Sequence, residues 1–174
     1  MIQKIPYLLT LFGIVLGVFI AILFGVNESI FKEQINRDLQ KNEKVISFNG
    51  QGDALQKYLE NESEKNWRYY QRFHFHSTGI SAMSLGLLIL LSFSSAPFLY
   101  RIISSYMVSF GGFLYPFVWL FAAYYGPSMG RDIAKEKFAI FGYMGGVFLV
   151  GVIVTIFLVA RYPHGLIRKE KTNE

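Results

Sequence analysis

The chain has 174 residues, of which 52% are hydrophobic and 17% aromatic, and its formal net charge is +5. This composition is too apolar for a water-soluble domain of this length, and the apolar residues come in long blocks. There is no cysteine, which excludes disulfides, thiol redox chemistry and cysteine-held iron–sulfur clusters. A small positive charge is ordinary for a membrane protein with basic flanks, so we expect no nucleic-acid partner.

Four apolar blocks are long enough to cross a bilayer core of about 30 Å, which takes roughly 20 helical residues. They cover residues 7–26, 75–93, 104–125 and 138–160. We therefore predict an all-α integral membrane protein with four transmembrane helices. Residues 1–174 form a single four-helix membrane domain in this interpretation, and residues 27–72 form an extramembrane helical insertion between the first two helices.

The first apolar helix carries a small residue at every fourth position. Such a stripe lets the backbone of another helix approach closely, which is how helices associate in lipid. The same spacing recurs once in the fourth helix. We predict helix packing through these residues, with other membrane subunits or a second copy of the chain as partners: Gly13, Gly17, Ala21 and Gly25 in the first helix, and Gly142 and Gly146 in the fourth.

The insertion at residues 27–72 is balanced in charge, with eight Lys or Arg and eight Asp or Glu. Asn27 is a residue type that caps helices, and Ile35 and Leu39 fall on one face of the helix that would follow. The pattern therefore predicts an amphipathic helix that lies at the surface, in the interfacial region or against a partner.

Three local signals predict interruptions in the helical pattern. The polar run at residues 47–52 is typical of a turn. Asp53 and Gln56 have the spacing of a capping box, so a second helix is expected to begin there and to continue into the membrane. Pro116 lies inside the third apolar block, removes one backbone donor and predicts a kink.

Four crossings place both termini and the turn at Pro97 on one side of the membrane. The insertion and the turn at Arg131 then lie on the other side. The two sides carry six and eleven Lys or Arg residues, and these counts do not separate the two orientations, because the rule weighs charges near helix ends in short loops. The basic C-terminal tail and the anchor-like first helix lead us to expect cytoplasmic termini, in a bacterial cytoplasmic membrane.

Ionisable and aromatic side chains are concentrated where the insertion meets the second apolar helix. Ionisable groups at that depth are functional candidates. On a helix His74 and His76 point about 200° apart, so they cannot bind one metal ion from the same face. His74 shares a small polar face with Thr78 and Ser81. We predict a ligand-binding site here, without a metal unless His74 binds haem, and its residues are His74, His76, Arg68, Arg72, Arg131, Tyr124 and Tyr125.

Two functional interpretations follow from this boundary. In the first, the protein is a non-catalytic accessory or assembly subunit of a membrane complex, and the basic side chains hold the head group of a membrane lipid or a quinone. In the second, the protein is an electron-transfer subunit with haem b. His74 would then be one iron ligand, and Met129, Met144 or a second subunit would supply the other. The sequence shows no acid–base pair and no phosphate-binding loop, so we predict no catalytic residue.

A short run of residues supports a further alternative. Residues 71–76, Gln-Arg-Phe-His-Phe-His, open the second of four membrane helices after a polar loop. This run resembles the start of helix two in the membrane-associated eicosanoid and glutathione metabolism family. The resemblance implies a trimeric membrane enzyme of the glutathione-transferase type that binds glutathione. The sequence departs from the family at His76, where Asn is expected, and at Gly79, where Glu is expected.

Overall fold

The computed structural model describes residues 4–48 and 52–165. The turn predicted at residues 47–52 lies partly outside the described residues, and the basic tail with Arg168, Lys169 and Lys171 lies wholly outside them. The described part of the chain is all-helical, as predicted. Its helices are α1 (Lys4–Asn27), α2 (Ser29–Leu39), α3 (Glu43–Ile46), α4 (Asp53–Phe93), α5 (Phe98–Leu114), α6 (Phe117–Met129), α7 (Arg131–Lys137) and α8 (Ala139–Arg161).

Four helical stretches in the described residues are long and apolar enough to cross a membrane. They are α1, α4, the pair α5–α6 taken together, and α8, and they cover the four apolar blocks of the sequence except for Phe138, which directly precedes α8. Large apolar side chains on the outer faces of α1 and α8 are exposed, including Phe12, Val15, Ile153 and Phe157. Exposed apolar surface of this extent is typical of helices that contact a membrane or another protein.

Helix α4 is the centre of the bundle. It contacts α1, α2, α5, α6 and α8, while α8 packs mainly on α5. At 41 residues it is about 60 Å long and runs without a break through the polar segment and the apolar block. A single helix therefore belongs to both parts of the molecule.

Two predicted helix caps are wrong. Asn27 is the last residue of α1 and not the cap of α2, because the chain stays helical through Glu28 (φ −62°, ψ −27°). The side chain of Asn27 instead accepts a hydrogen bond from the Ser29 hydroxyl. The capping box at Asp53 is also absent. Gly52 (φ 60°) precedes α4 without a side-chain cap, and the Gln56 amide donates to Glu60, one turn further on. In both cases local helical hydrogen bonding takes the place of the cap.

The kink predicted at Pro116 coincides with an interruption of the helix, at which Tyr115 and Pro116 keep helical dihedral angles. Helix α5 ends at Leu114 and α6 begins at Phe117, since proline supplies no backbone N–H to continue the hydrogen-bonding ladder. At the far end of α6 the chain turns at Gly130, whose φ of 94° is a conformation that favours glycine. Helix α7 then leads into α8.

Helices α2 and α3 and the part of α4 before the apolar block form a small unit, described at residues 28–48 and 52–72, that we call the head. Ile35 and Leu39 of α2 are buried against Tyr70 of α4 and its neighbours on α6. The side chain of Asn42 donates to the carbonyl of Pro127 at 2.8 Å, and that of Gln34 donates to the carbonyl of Tyr124 at 3.2 Å. The head is thus attached to the end of α6.

The opposite end of the bundle collects the two terminal segments. The Tyr7 hydroxyl donates to the Leu88 carbonyl at 3.1 Å, and the backbone N–H of Ser95 donates to the Pro163 carbonyl at 3.0 Å. The described ends of the chain and the α4–α5 turn therefore lie together, away from the head, which is the arrangement expected from four crossings.

Candidate functional site

His74 lies at the interface between α4 and α1. Its Nδ1 is 2.8 Å from the carbonyl oxygen of Gly17, and the Ser77 hydroxyl donates to the carbonyl of Gly13, also at 2.8 Å. A carbonyl can only accept, so Nδ1 of His74 carries the proton. A Cβ at Gly17 would lie 2.8 Å from the backbone nitrogen of Thr78. The glycines thus allow the two backbones to approach and expose carbonyls to the polar face of α4.

The other small residues of the predicted stripes are in more open surroundings. A Cβ at Gly25 or Gly146 would meet no atom within 4 Å, and one at Gly142 would lie 3.9 Å from Val118. Ala21 is half-buried. The close approach expected from the α1 stripe therefore takes place within the chain at Gly13 and Gly17, whereas Gly25 and Gly146 have open space at the position of a Cβ.

Helices α5 and α8 also approach closely through glycines, a contact that the predicted stripes do not include. A Cβ at Gly111 would lie 2.5 Å from the backbone nitrogen of Phe148, and one at Gly151 would lie 2.9 Å from that of Val108. The Ser104 hydroxyl donates to the carbonyl of Gly151 at 3.0 Å. A glycine on each helix and a buried serine were the available signals for this contact.

His76 and Arg72 lie on the side of α4 that faces away from α1. Nδ1 of His76 donates to the Arg72 carbonyl at 2.8 Å, and the imidazole ring packs 5.4 Å from the ring of Tyr115 and 5.9 Å from that of Trp119. The guanidinium of Arg72 lies over the rings of Trp119 at 4.9 Å and Tyr69 at 5.4 Å. In the described chain, no carboxylate lies within 4 Å of this guanidinium.

Tyr69 connects Arg72 to two further cations. Arg131 donates to Glu62 at 3.1 Å; burial opposes its charge, but Glu62 and the Tyr69 hydroxyl outweigh burial and raise the pKa of Arg131. A hydrogen bond to Asp132 raises the pKa of Lys135 against the effect of burial, with a further contribution from Tyr69. Both cations therefore keep their charge at this edge of the head.

The structure divides the predicted site residues among different surroundings. His74 faces α1, whereas Arg72 and His76 lie together on the α6 side. Arg68 is exposed and is 3.6 Å from Glu64. Tyr124 is exposed and accepts from Gln34 through its carbonyl, and Tyr125 stacks on Phe138 with the ring centroids 5.2 Å apart. The seven residues do not converge on one pocket.

Three residues that the sequence analysis missed complete the cluster around Arg72. They are Glu62, Tyr69 and Trp119. Glu62 and Tyr69 precede His76 at intervals of seven residues, so the three lie on one face of α4. That periodicity, continued upstream from His76, was the signal that could have identified the first two. Trp119 reaches the cluster only because α6 packs on α4.

A cleft of about 640 Å³ opens between α2 and α4 on the head. Its α2 wall includes Lys32, Asn36 and Gln40, and its α4 wall includes Ser63 and Arg68. The lining also includes the acidic residues Glu60 and Glu64 and the apolar residues Leu39, Leu59 and Trp67. A mixed lining of this kind suits the polar surface of a protein partner better than a purely apolar ligand.

The histidines do not face one another within the described chain. His164 donates through Nε2 to the carbonyl of Leu90 at 2.7 Å. Leu90 is sixteen residues beyond His74 on α4, about 24 Å along the helix axis. Met144 belongs to α8, where its carbonyl lies against Gly111 of α5 and not against α1. Within the described chain, His164 and Met144 are therefore not positioned to share one iron with His74.

Comparison of the chain with protein-family models, with curated proteins and with solved structures gives no match.

Proposed function

We propose that the protein is an integral membrane protein that works as a non-catalytic accessory or assembly subunit of a membrane complex. Four transmembrane helices hold the head at one membrane surface, and the boundary between the head and the spans binds a lipid or a quinone. The membrane is a bacterial cytoplasmic membrane, and both termini lie on its cytoplasmic side.

One observation carries this proposal: the head is built onto the same helix that enters the bundle. Helix α4 continues from the head into its apolar block, and α2 is docked on it through Ile35 and Leu39. The cleft between α2 and α4 therefore has a fixed position above the bundle. A binding surface held at a constant height and angle is what a subunit needs to position a partner at the membrane.

The charged side chains of the head support a binding function. Glu28 pairs with Lys32 at 2.9 Å, and Asp38 pairs with Lys41 at 2.6 Å. Paired surface charges contribute little to stability but give an interface a pattern of signs to match. In the proposed assembly, these charges are recognised by the partner subunit.

The test is to block the cleft in the full chain and to purify the protein gently from its native membrane. Ser63→Arg places a long cation in the cleft, and Asn61→Arg places the same side chain on the exposed face two positions earlier. We expect a partner to copurify stoichiometrically with the parent and with Asn61→Arg. Ser63→Arg should reduce its yield at least tenfold while the variant remains in the membrane fraction.

Purification of the parent chain without any stoichiometric partner would contradict the assembly proposal. Equal partner yield from Ser63→Arg and Asn61→Arg would exclude the cleft as the contact surface.

The haem alternative is favoured by one feature of His74. Its Nδ1 proton is donated to a carbonyl, which fixes the ring and leaves Nε2 as the nitrogen able to bind iron. An absorption spectrum of the protein purified from haem-replete cells, taken before and after dithionite, tests this. A Soret band that His74→Ala removes would replace the lipid or quinone site with an electron-transfer function, and a flat visible spectrum would exclude haem.

A further inference from the structure

We propose that the boundary site binds one anionic phospholipid, with the phosphate at Arg72 and one acyl chain in the groove between α4 and α8. This deepens the proposed function, on which it rests for membrane insertion, and it moves the site from His74 to the opposite side of α4.

The head-group end of the site is defined by Arg72. Its guanidinium is held over the rings of Trp119 and Tyr69, and no carboxylate of the described chain neutralises it. An arginine fixed at the membrane boundary without an internal counter-ion is suited to bidentate phosphate binding.

The acyl chain has a groove of about 620 Å³ along the apolar part of the bundle. It is lined almost entirely by apolar atoms, from Met83, Gly86, Leu87 and Leu90 of α4 and from Phe148, Leu149 and Val152 of α8. A Cβ at Gly86 would meet no atom within 4 Å, so this position adds no side chain to the space between the helices. A volume in this range is typical of sites for small amphiphilic molecules.

Tyr115 connects the two ends of the site. Its ring packs on His76, one turn below Arg72 on α4. On its other side it lies against Gly145 of α8, where a Cβ would be 2.9 Å from the ring. Gly145 is one turn before Phe148, which lines the groove. An amphiphile bound at Arg72 can therefore pass Tyr115 and enter the groove without crossing a helix.

The distance along α4 from Arg72 to the groove agrees with the length of a lipid in one leaflet. The apolar block of α4 begins near residue 75, so Arg72 lies at the head-group level. Half of a bilayer core of about 30 Å corresponds to about ten helical residues. An acyl chain that starts beside His76 therefore reaches the bilayer midplane beside Gly86, within the groove.

Charge distinguishes the anionic lipid from a quinone. A quinone head group is neutral and supplies no counter-ion for the Arg72 guanidinium, which lies over the rings of Trp119 and Tyr69. A phosphodiester supplies that charge and two acceptor oxygens.

The test uses the full chain in detergent and native mass spectrometry with two lipids that share the same acyl chains, phosphatidylglycerol and phosphatidylcholine. We expect one phosphatidylglycerol per chain and at least a tenfold preference over phosphatidylcholine. Arg72→Gln should abolish that preference, whereas Arg68→Gln, which removes an arginine one turn away that already lies 3.6 Å from Glu64, should change it less than twofold. Inorganic phosphate alone should give no retained adduct.

The groove is tested with Gly86→Phe against Gly25→Phe, two glycines with open space around them on different helices. Gly86→Phe should weaken both lipids about equally and at least fivefold, and Gly25→Phe should weaken neither. Equal binding of the two lipids by the parent, or equal effects of Arg72→Gln and Arg68→Gln, would overturn the proposal. If Gly86→Phe instead dissociates a dimer and leaves lipid binding intact, the groove holds a second copy of the chain and not a lipid.

The same preparations separate this inference from the proposed function. Retention of the copurified partner by Arg72→Gln, together with loss of the lipid preference, supports both. If the parent chain binds the lipid but retains no partner, the assembly function is refuted and the lipid-binding proposal is still supported.

Discussion

At the residue scale, the ion pair between Glu62 and Arg131 joins the head to α7. The side chain of Glu62 is 18% exposed and forms ion pairs with Arg131 at 3.1 Å and with Lys65 at 3.0 Å. Pairs shielded from water to this degree contribute more than fully exposed ones, because loss of one partner leaves the other charge poorly solvated. This contact holds the edge of the site at which Tyr69 meets Arg131.

We expect Glu62→Gln to lower the stability of the protein by about 1–2 kcal/mol, since Arg131 and Lys65 both lose their carboxylate. Thermal unfolding in detergent would show this as a fall in Tm of about 2–8 °C. Glu64→Gln is the matched control, because Glu64 and Arg68 are both largely exposed and should contribute less than about 0.5 kcal/mol. Equal Tm values for the two variants would show that the Glu62 pair does not hold the head.

At the element scale, α5 and α8 are joined by close backbone contacts at glycines, whereas aromatic rings such as those of Phe117 and Phe141 pack between α6 and α8. In the α5–α8 pair Gly111 lies against the backbone of Phe148, and the Ser104 hydroxyl is 2.7 Å from that of Thr155. Lipid offers no hydrophobic driving force between helices, so close packing and buried hydrogen bonds must hold them together.

Gly111→Leu should therefore separate α5 from α8 and destabilise the protein by about 2–3 kcal/mol or more, because the added side chain meets backbone that cannot move aside. Gly146→Leu adds the same side chain to α8 in open space and should leave Tm unchanged. Thermal unfolding measures the loss of stability in Gly111→Leu. Size-exclusion chromatography in detergent measures the size of the assembly that Gly146→Leu forms. A Gly146→Leu variant with normal Tm and a smaller assembly would identify this face as an interface between subunits.

At the scale of the whole molecule, the head and the terminal segments lie at opposite ends of the bundle. The head contacts the end of α6 through Asn42 and Pro127, while the segment around His164 packs on the end of α4 at Leu90. Cysteine labelling can test this arrangement without background, since the natural chain contains no cysteine.

We expect Lys57→Cys in the head and Glu136→Cys on α7 to react with an impermeant maleimide from the same side of intact cells. Ser95→Cys, in the α4–α5 turn, should react only after permeabilisation if the termini are cytoplasmic. All three positions are exposed, so their reactivity reports sidedness and not burial. Labelling of Ser95→Cys in intact cells without labelling of Lys57→Cys would reverse the proposed orientation. Labelling of all three would reject four crossings.

The sequence by itself determined the helical class, the four apolar stretches and the interruption at Pro116. These follow from composition, the length of apolar runs and the missing N–H of proline, which act locally and do not depend on the rest of the fold. The polar face of His74 was predicted in the same way, because helical spacing places Thr78 and Ser81 beside it.

Only the tertiary structure decided which faces meet. Asn27 and Asp53 are good caps by residue type, yet the chain stays helical through Glu28, and Gly52 is the residue that precedes α4. Spacing along one helix gave no information about Trp119, which reaches Arg72 from another helix. The division of the boundary into a His74 side and an Arg72 side follows from the packing of α1 and α6 on opposite faces of α4. Such a division is a property of helix contacts that are distant in sequence.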